Sequence, residues 1–254
     1  AYGKLGGKEL GYASDLDMVF VHDDDAPEAA ENYTRLGQRT NTWLSMQTPA
    51  GQLFDTDLRL RPNGDAGLMV VSLESFRQYQ LENAWVWEHQ ALTRARFAAG
   101  DPEIGRKFEA IRIEVLRQRR DLAKLRGEVM AMRQRMVDAH PNKTELFDLK
   151  HDRGGLIDVE FIVQYLVLGH AFEHASLTGN LGNIALLKMA GELGLIPADQ
   201  AAQVADTYRE YRRLQHGLRL NNQASRVDRK QVAENARGVR ALWNRVFDDT
   251  LPTD

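Results

Sequence analysis

Cysteine is absent from all 254 residues of the chain. Disulfides, thiolate nucleophiles and cysteine-bound zinc are therefore excluded. No run of about 18 apolar residues occurs, so no membrane-spanning helix is predicted, and no secretory leader is recognisable. A cytoplasmic location with no membrane partner is the expectation. An excess of charge of one sign is also missing: 33 Lys and Arg against 36 Asp and Glu leave a formal net charge of −3. The basic residues are dispersed, which argues against a nucleic-acid partner. Internal repeats and low-complexity segments are lacking too. Asn142-Lys143-Thr144 matches a glycosylation acceptor, a chance match in a cytosolic chain. The length suffices for one large or two small domains.

What is present begins with two carboxylates. After the glycines Gly3, Gly6 and Gly7, the stretch Ser14-Asp15-Leu16-Asp17-Met18-Val19-Phe20-Val21 reads as a strand. Side chains alternate faces along a strand, so Asp15 and Asp17 point one way and Leu16, Met18 and Phe20 the other. Carboxylates roughly 7 Å apart repel by about 2 kcal/mol at an effective dielectric near 20. A cation between them removes that cost, and hard oxygen ligands suit Mg²⁺ or Mn²⁺. The glycines allow a turn whose N–H groups can cradle phosphate. The spacing is not that of a Walker loop, because Glu9 follows Lys8 where Ser or Thr is required. The bland alternative is a glycine-rich turn followed by solvated acids.

A second segment alternates strictly. In Leu53-Phe54-Asp55-Thr56-Asp57-Leu58-Arg59-Leu60-Arg61-Pro62, the four charged residues share one face of a predicted strand. A solvated edge strand would explain this. So would a third carboxylate that completes a metal set, with arginines that neutralise a polyphosphate.

These segments together resemble the glutamine synthetase adenylyltransferase family, which lies within the polymerase β-like nucleotidyltransferases. The resemblance rests on Gly3-Lys4-Leu5-Gly6-Gly7, Ser14-Asp15-Leu16-Asp17 and Asp55-Thr56-Asp57-Leu58-Arg59-Leu60-Arg61-Pro62. It extends to Trp85-Val86-Trp87-Glu88-His89-Gln90-Ala91-Leu92-Thr93-Arg94-Ala95-Arg96 and to Arg153-Gly154-Gly155-Leu156-Ile157-Asp158-Val159-Glu160-Phe161-Ile162-Val163-Gln164. The Trp-Glu-His-Gln-Ala-Leu form of the middle motif is similar to the family's carboxy-terminal, adenylylating unit. The amino-terminal unit removes AMP by phosphorolysis.

The resemblance implies transfer of AMP from ATP to a tyrosine of glutamine synthetase, with release of pyrophosphate, in the control of nitrogen assimilation. Asp15, Asp17 and Asp57 would hold one or two Mg²⁺ (or Mn²⁺), and Asp57, or else Asp55, would accept the tyrosine proton. Gly6, Gly7, Ser14, Arg59 and Arg61 would contact ATP. A PII-type signal protein and glutamine would regulate the full-length enzyme. Rival readings are the deadenylylating unit, a uridylyltransferase of a PII-type protein, and a catalytically dead helical interaction fragment. A nucleotidyltransferase would be expected to place a strand and a helix before the Gly-Gly turn, so a truncated domain with an open strand edge is expected.

The expected fold class is α+β, with a nucleotidyltransferase domain over 1–99 and an all-α bundle over 100–254. In the first part, a helix over 29–47 would bury Leu36, Trp43, Leu44 and Met46. Strands near 53–61 and 68–72 should flank the turn 62–67, and Ser72 should cap a helix over 73–82. A helix over 84–98 follows, with Trp85 and Trp87 expected in the core or at an interface. Gly100-Asp101-Pro102 marks the boundary, with Asp101 as N-cap. Beyond it, Phe108, Ile111, Val115, Gln118, Leu122, Leu125, Val129, Met132 and Met136 recur at spacings of three and four, predicting one long amphipathic helix. Further helices are predicted over 156–170, 181–194, 198–222 and 229–248.

The helix from Leu156 is apolar nearly all round and therefore buried, which makes Asp158, Glu160 and Gln164 costly unless satisfied. Either they pair with Lys150, Arg153 or loop N–H groups, or this helix start walls the catalytic cleft and puts Lys150 and Arg153 near the nucleotide phosphates. His170 and His174 have zinc-compatible spacing but no evident third ligand.

Overall fold

The computed structural model describes residues 1–12 and 14–252. Its secondary structure mixes helices with short strands, an α+β arrangement. Two compact units are present, Ala1–Gln118 and Arg119–Asp254.

The first unit opens with one helical turn, α1 (Gly3–Gly6), followed by β1 (Leu16–Asp17) and β2 (Phe20–His22). Next come α2 (Ala29–Ser45), a small antiparallel hairpin of β3 (Gln47–Thr48) and β4 (Gly51–Gln52), and β5 (Thr56–Asp57). β1 pairs in parallel with β5. Farther on, β2 pairs in parallel with β6 (Val70–Ser72). Parallel partners need a crossover, and α2 lies within both connections. On the side of β1 away from β5, the Asp17 carbonyl accepts the Tyr2 N–H at 2.9 Å. The edge expected to be open thus carries a bond from the chain's second residue.

Ser72 caps α3 (Leu73–Glu82) as the sequence predicts, its side chain accepting the Ser75 N–H. The helix predicted over 84–98 is shorter, α4 (Val86–Leu92). Its first turn is held by Glu88, whose carboxylate accepts the Trp85 N–H and the Tyr79 hydroxyl, each at 2.9 Å. Asp101 caps α5 (Pro102–Leu116). Arg77 of α3 holds Glu114 of α5 through a two-point ion pair, and Glu109 accepts the Phe97 N–H. Those bonds place α5 within the first unit.

Two expectations about this unit fail for identifiable reasons, and the core half of a third fails with them. On α2, Ala29 and Gly37 are buried, while Leu36, Trp43 and Met46 are exposed and Leu44 is intermediate. The Gly37 face lies against Phe20 and Val70, which turns the larger apolar side chains outward. Trp85 is 69% exposed and Trp87 is 37% exposed, so neither is core. The helix expected to run unbroken past Leu116 stops there. Asp121 starts a new one, its carboxylate accepting the N–H groups of Ala123 and Lys124.

That second helix is α6 (Leu122–Ala139), and it opens the second unit. β7 (Phe147–Asp148) leads into α7 (Leu156–His170), followed by α8 (Asn183–Glu192) and α9 (Ala198–Leu220). β8 (Arg226–Val227) pairs antiparallel with β7, and α10 (Arg229–Phe247) closes the unit. α7 is the hub, packed against α6, α8, α9 and α10, and its residues from Leu156 to Leu168 are buried except Glu160. Inside it, Asp158 is fully buried and ion-paired with the fully buried Arg133 of α6 at 2.5 Å. Its other oxygen accepts the Gly154 N–H, also at 2.5 Å. Glu160 accepts the Tyr208 hydroxyl at 3.1 Å. The costly acids of α7 are thus satisfied by structural partners within the unit. No helix among the described residues is long and apolar enough to cross a membrane.

Candidate active site

Parallel register brings the acids together. β1 and β5 align Asp17 with Asp57, and residues in register on neighbouring strands share a face. Asp15, two residues before Asp17, joins them. Each of the three offers a carboxylate oxygen within 4.8 Å of the others. Among the described residues, this is the one group of three or more His, Asp or Glu side chains close enough to share an ion. His170 and His174 therefore gain no third ligand among the described residues.

The acids differ in environment. Burial pushes the Asp17 carboxyl up to about 6, helped by the charges of Asp15 and Asp57 and opposed by Lys4 and Arg94. Asp57 is held below the usual carboxylate range, chiefly by hydrogen bonds from the Arg59 side chain. Arg59 Nε reaches both Asp57 oxygens, at 3.1 and 3.0 Å, and the Arg59 N–H donates to Oδ1 at 2.8 Å. That local bond turns the chain, so the predicted strand over 53–61 shortens to Thr56–Asp57.

A donor set made only of carboxylate oxygens fits Mg²⁺ or Mn²⁺.

The other residues read from the sequence are distributed as follows. Ser14 Oγ accepts the Gly11 N–H at 3.1 Å, closing the turn that delivers Asp15. The Gly6 and Gly7 N–H groups donate to the Tyr2 and Gly3 carbonyls, so the expected phosphate cradle is instead a closed helical turn. Arg61 is half-buried and donates to the Leu58 and Gly67 carbonyls, fastening the 58–67 loop. Asp55 is exposed and accepts Gln52 Nε2 at 2.9 Å. Lys150 and Arg153 belong to the second unit. There Lys150 is exposed, and Arg153 bonds Gln134 and lies over the Trp243 ring.

Two residues not singled out as site residues fasten the segment between α1 and the triad. Arg94 pairs with Glu9 at 2.8 Å, and Arg96 donates to the Gly6 and Leu5 carbonyls. Both belong to the 85–96 motif, but nothing local in the sequence links them to residues some 90 positions earlier.

Gly3 lies closer still to the chemistry. Its φ is +52°, and a Cβ built there would sit 2.0 Å from Asp17 Oδ2. Gly3→Ala is expected to displace the Asp17 carboxylate and to destabilise the unit by about 1–2 kcal/mol. Denaturant unfolding and Mn²⁺ binding check both effects. Unchanged metal affinity would show that the contact does not matter.

With this geometry in place, comparison with known proteins is informative. Residues 1–111 match the family described as glutamate-ammonia ligase adenylyltransferase. Residues 123–241 match the GlnD PII-uridylyltransferase family. The bifunctional glutamine synthetase adenylyltransferase/adenylyl-removing enzyme of Aromatoleum aromaticum is 70% identical over 97% of this chain. The chain belongs to the glutamine synthetase adenylyltransferase family. Enzymes of the same description from Ralstonia nicotianae and Bordetella bronchiseptica are 61% and 59% identical, over 100% and 98% of the chain. The chain spans about a quarter of the length of these relatives, 26% of the first and 27% of the other two. Within the adenylyltransferase family, then, this chain corresponds to a segment containing the acid triad and a helical unit.

Proposed function

We propose that the chain transfers AMP from ATP to a tyrosine hydroxyl of glutamine synthetase and releases pyrophosphate. The observation that carries this reading is the convergence of Asp15, Asp17 and Asp57, each with a carboxylate oxygen within 4.8 Å of the others. Those three residues would hold Mg²⁺ or Mn²⁺, which when bound neutralises phosphoryl oxygens and fixes the nucleotide for in-line attack.

The chain's own side chains do the rest. Arg59 is 71% exposed and its pair with Asp57 is open to water, so a triphosphate can draw it away. While paired with Arg59, Asp57 is a poor base. Once Arg59 turns to the phosphates, Asp57 regains basicity and can accept the proton of a tyrosine whose ordinary pKa is near 10. Asp57 is preferred to Asp55, because Asp55 is engaged by Gln52 on the exposed surface. Ser14 is a further phosphate contact, beside Asp15 on the same loop.

The names of the relatives carry both addition and removal of AMP. The stretch Trp87-Glu88-His89-Gln90-Ala91-Leu92, similar to the family's adenylylating unit, favours addition. Its regulators would be glutamine and a PII-type signal protein, and the match of residues 123–241 supports the second. The direction is tested by supplying unmodified glutamine synthetase with ATP, and adenylylated glutamine synthetase with phosphate. Faster AMP gain in the first mixture is expected. Faster AMP loss in the second would reassign the chain to removal.

A further inference from the structure

The second unit contains a cavity of about 550 Å³ that none of the preceding chemistry uses. Its wall includes Arg153, Arg229, Arg237, Arg240 and the imidazoles of His140 and His151. The carboxylate in the lining, Asp152, is already engaged: Asn142 Nδ2 lies 2.9 Å away, the Asp148 N–H 3.1 Å and Arg229 3.4 Å. Four guanidinium groups and one carboxylate line the cavity, with Arg153 also 3.7 Å from the buried Asp158, and the surplus of basic lining suits an anion.

The wall is shaped as well as charged. Gly154 has φ +88°, and a Cβ there would come within 2.7 Å of the Ala236 carbonyl. This close approach sets the loop carrying Arg153 against α10, where Arg237 is the next residue and Arg240 lies three further on, on the same helix face. The Arg153 guanidinium lies 5.2 Å over the Trp243 ring, which fixes its plane. Its Nη1 is buried without a hydrogen bond, 3.7 Å from Asp158. The His140 and His151 rings stack 4.4 Å apart, within 2° of parallel, and burial lowers the His151 pKa. A neutral His151 ring offers an N–H donor without adding charge.

We propose that this cavity binds a small phosphate-bearing anion, gripped by Arg153, Arg237 and Arg240. Planar guanidinium groups bind phosphate at two points, and the volume accommodates a group from pyrophosphate to a nucleotide. The ligand has two possible sources, an inorganic phosphate compound or a nucleotide, which offer the same phosphate chemistry. The site does not require the transfer reading to be correct.

Calorimetry on the full chain tests it, first with inorganic pyrophosphate in EDTA. Binding is expected, and Arg237→Gln should weaken it about tenfold without moving the thermal midpoint. Arg240→Gln provides a second variant for the same comparison. Repeating the titration with ATP in EDTA separates the sources. ATP binding that Arg237→Gln weakens identifies a nucleotide, whereas pyrophosphate binding without ATP binding identifies an inorganic ligand. No binding of pyrophosphate by the unaltered chain, or equal binding by both arginine variants, overturns the proposal. AMP transfer measured alongside is read independently, so loss of one assignment leaves the other standing.

Discussion

Asp17→Asn is expected to lower AMP transfer by roughly 10³-fold, because it removes one of three converging charges from the proposed metal site. The same change should stabilise the metal-free protein. Asp17 titrates near 6 in the fold against 3.8 ordinarily, so the folded state holds this proton more tightly than the unfolded chain. Stability from that proton is present at low pH and is lost as pH rises through about 6. Water still reaches part of the carboxyl, which limits the cost of ionisation to roughly 1–2 kcal/mol. In EDTA the variant should therefore unfold at a higher temperature than the parent at about pH 8, with the gap closing toward about pH 4. Adding Mn²⁺ should reverse the order by stabilising only the parent. Equal melting of the two proteins at the higher pH would contradict the electrostatic account of the triad.

The second large effect lies in the helical unit. Arg133 and Asp158 are both fully buried, and their ion pair joins α6 to α7. Removing one partner strands the other charge in the core, so Arg133→Met is expected to destabilise the unit by about 3–5 kcal/mol. Replacing both, Arg133→Met with Asp158→Leu, should recover part of that loss, less the bond to the Gly154 N–H. Urea unfolding of the two single variants and the double variant forms the necessary cycle. Additive losses would show that the pair is not coupled.

These two sites also show how far the sequence can be read. The triad was readable because its signal is local: i, i+2 carboxylates on a strand, and a second alternating charged segment to pair with it. What strict alternation could not show was the Asp57 side chain bonding the Arg59 N–H and turning the chain, which leaves Arg61 fastening a loop. The buried helix α7 was likewise plain from its unbroken apolar composition, and its bounds, Leu156–His170, agree with the structure.

Partners distant in sequence were not readable. Arg133 continues the buried stripe Leu125, Val129 at the next i+4 position. A charge at that place, with an acid inside an apolar helix, was the available sign of their pairing. Arg94 and Arg96 had no such sign, since their bonds run to Glu9, Gly6 and Leu5. The break after Leu116 was visible only as Gln118 within the apolar series and Asp121 as a cap; periodicity read straight through both. On α2, the close approach through Gly37 decided which face was buried, against the larger apolar residues.

The most direct measurement of the central claim uses two preparations of ATP with the chain, Mg²⁺ and unmodified glutamine synthetase. One carries its label in the α-phosphate and the other in the γ-phosphate. The account predicts label on glutamine synthetase from the first alone, released pyrophosphate labelled from the second, and neither with Asp17→Asn. Label reaching the protein from the γ-phosphate, or α-label transferred undiminished by the Asp17 variant, would contradict it.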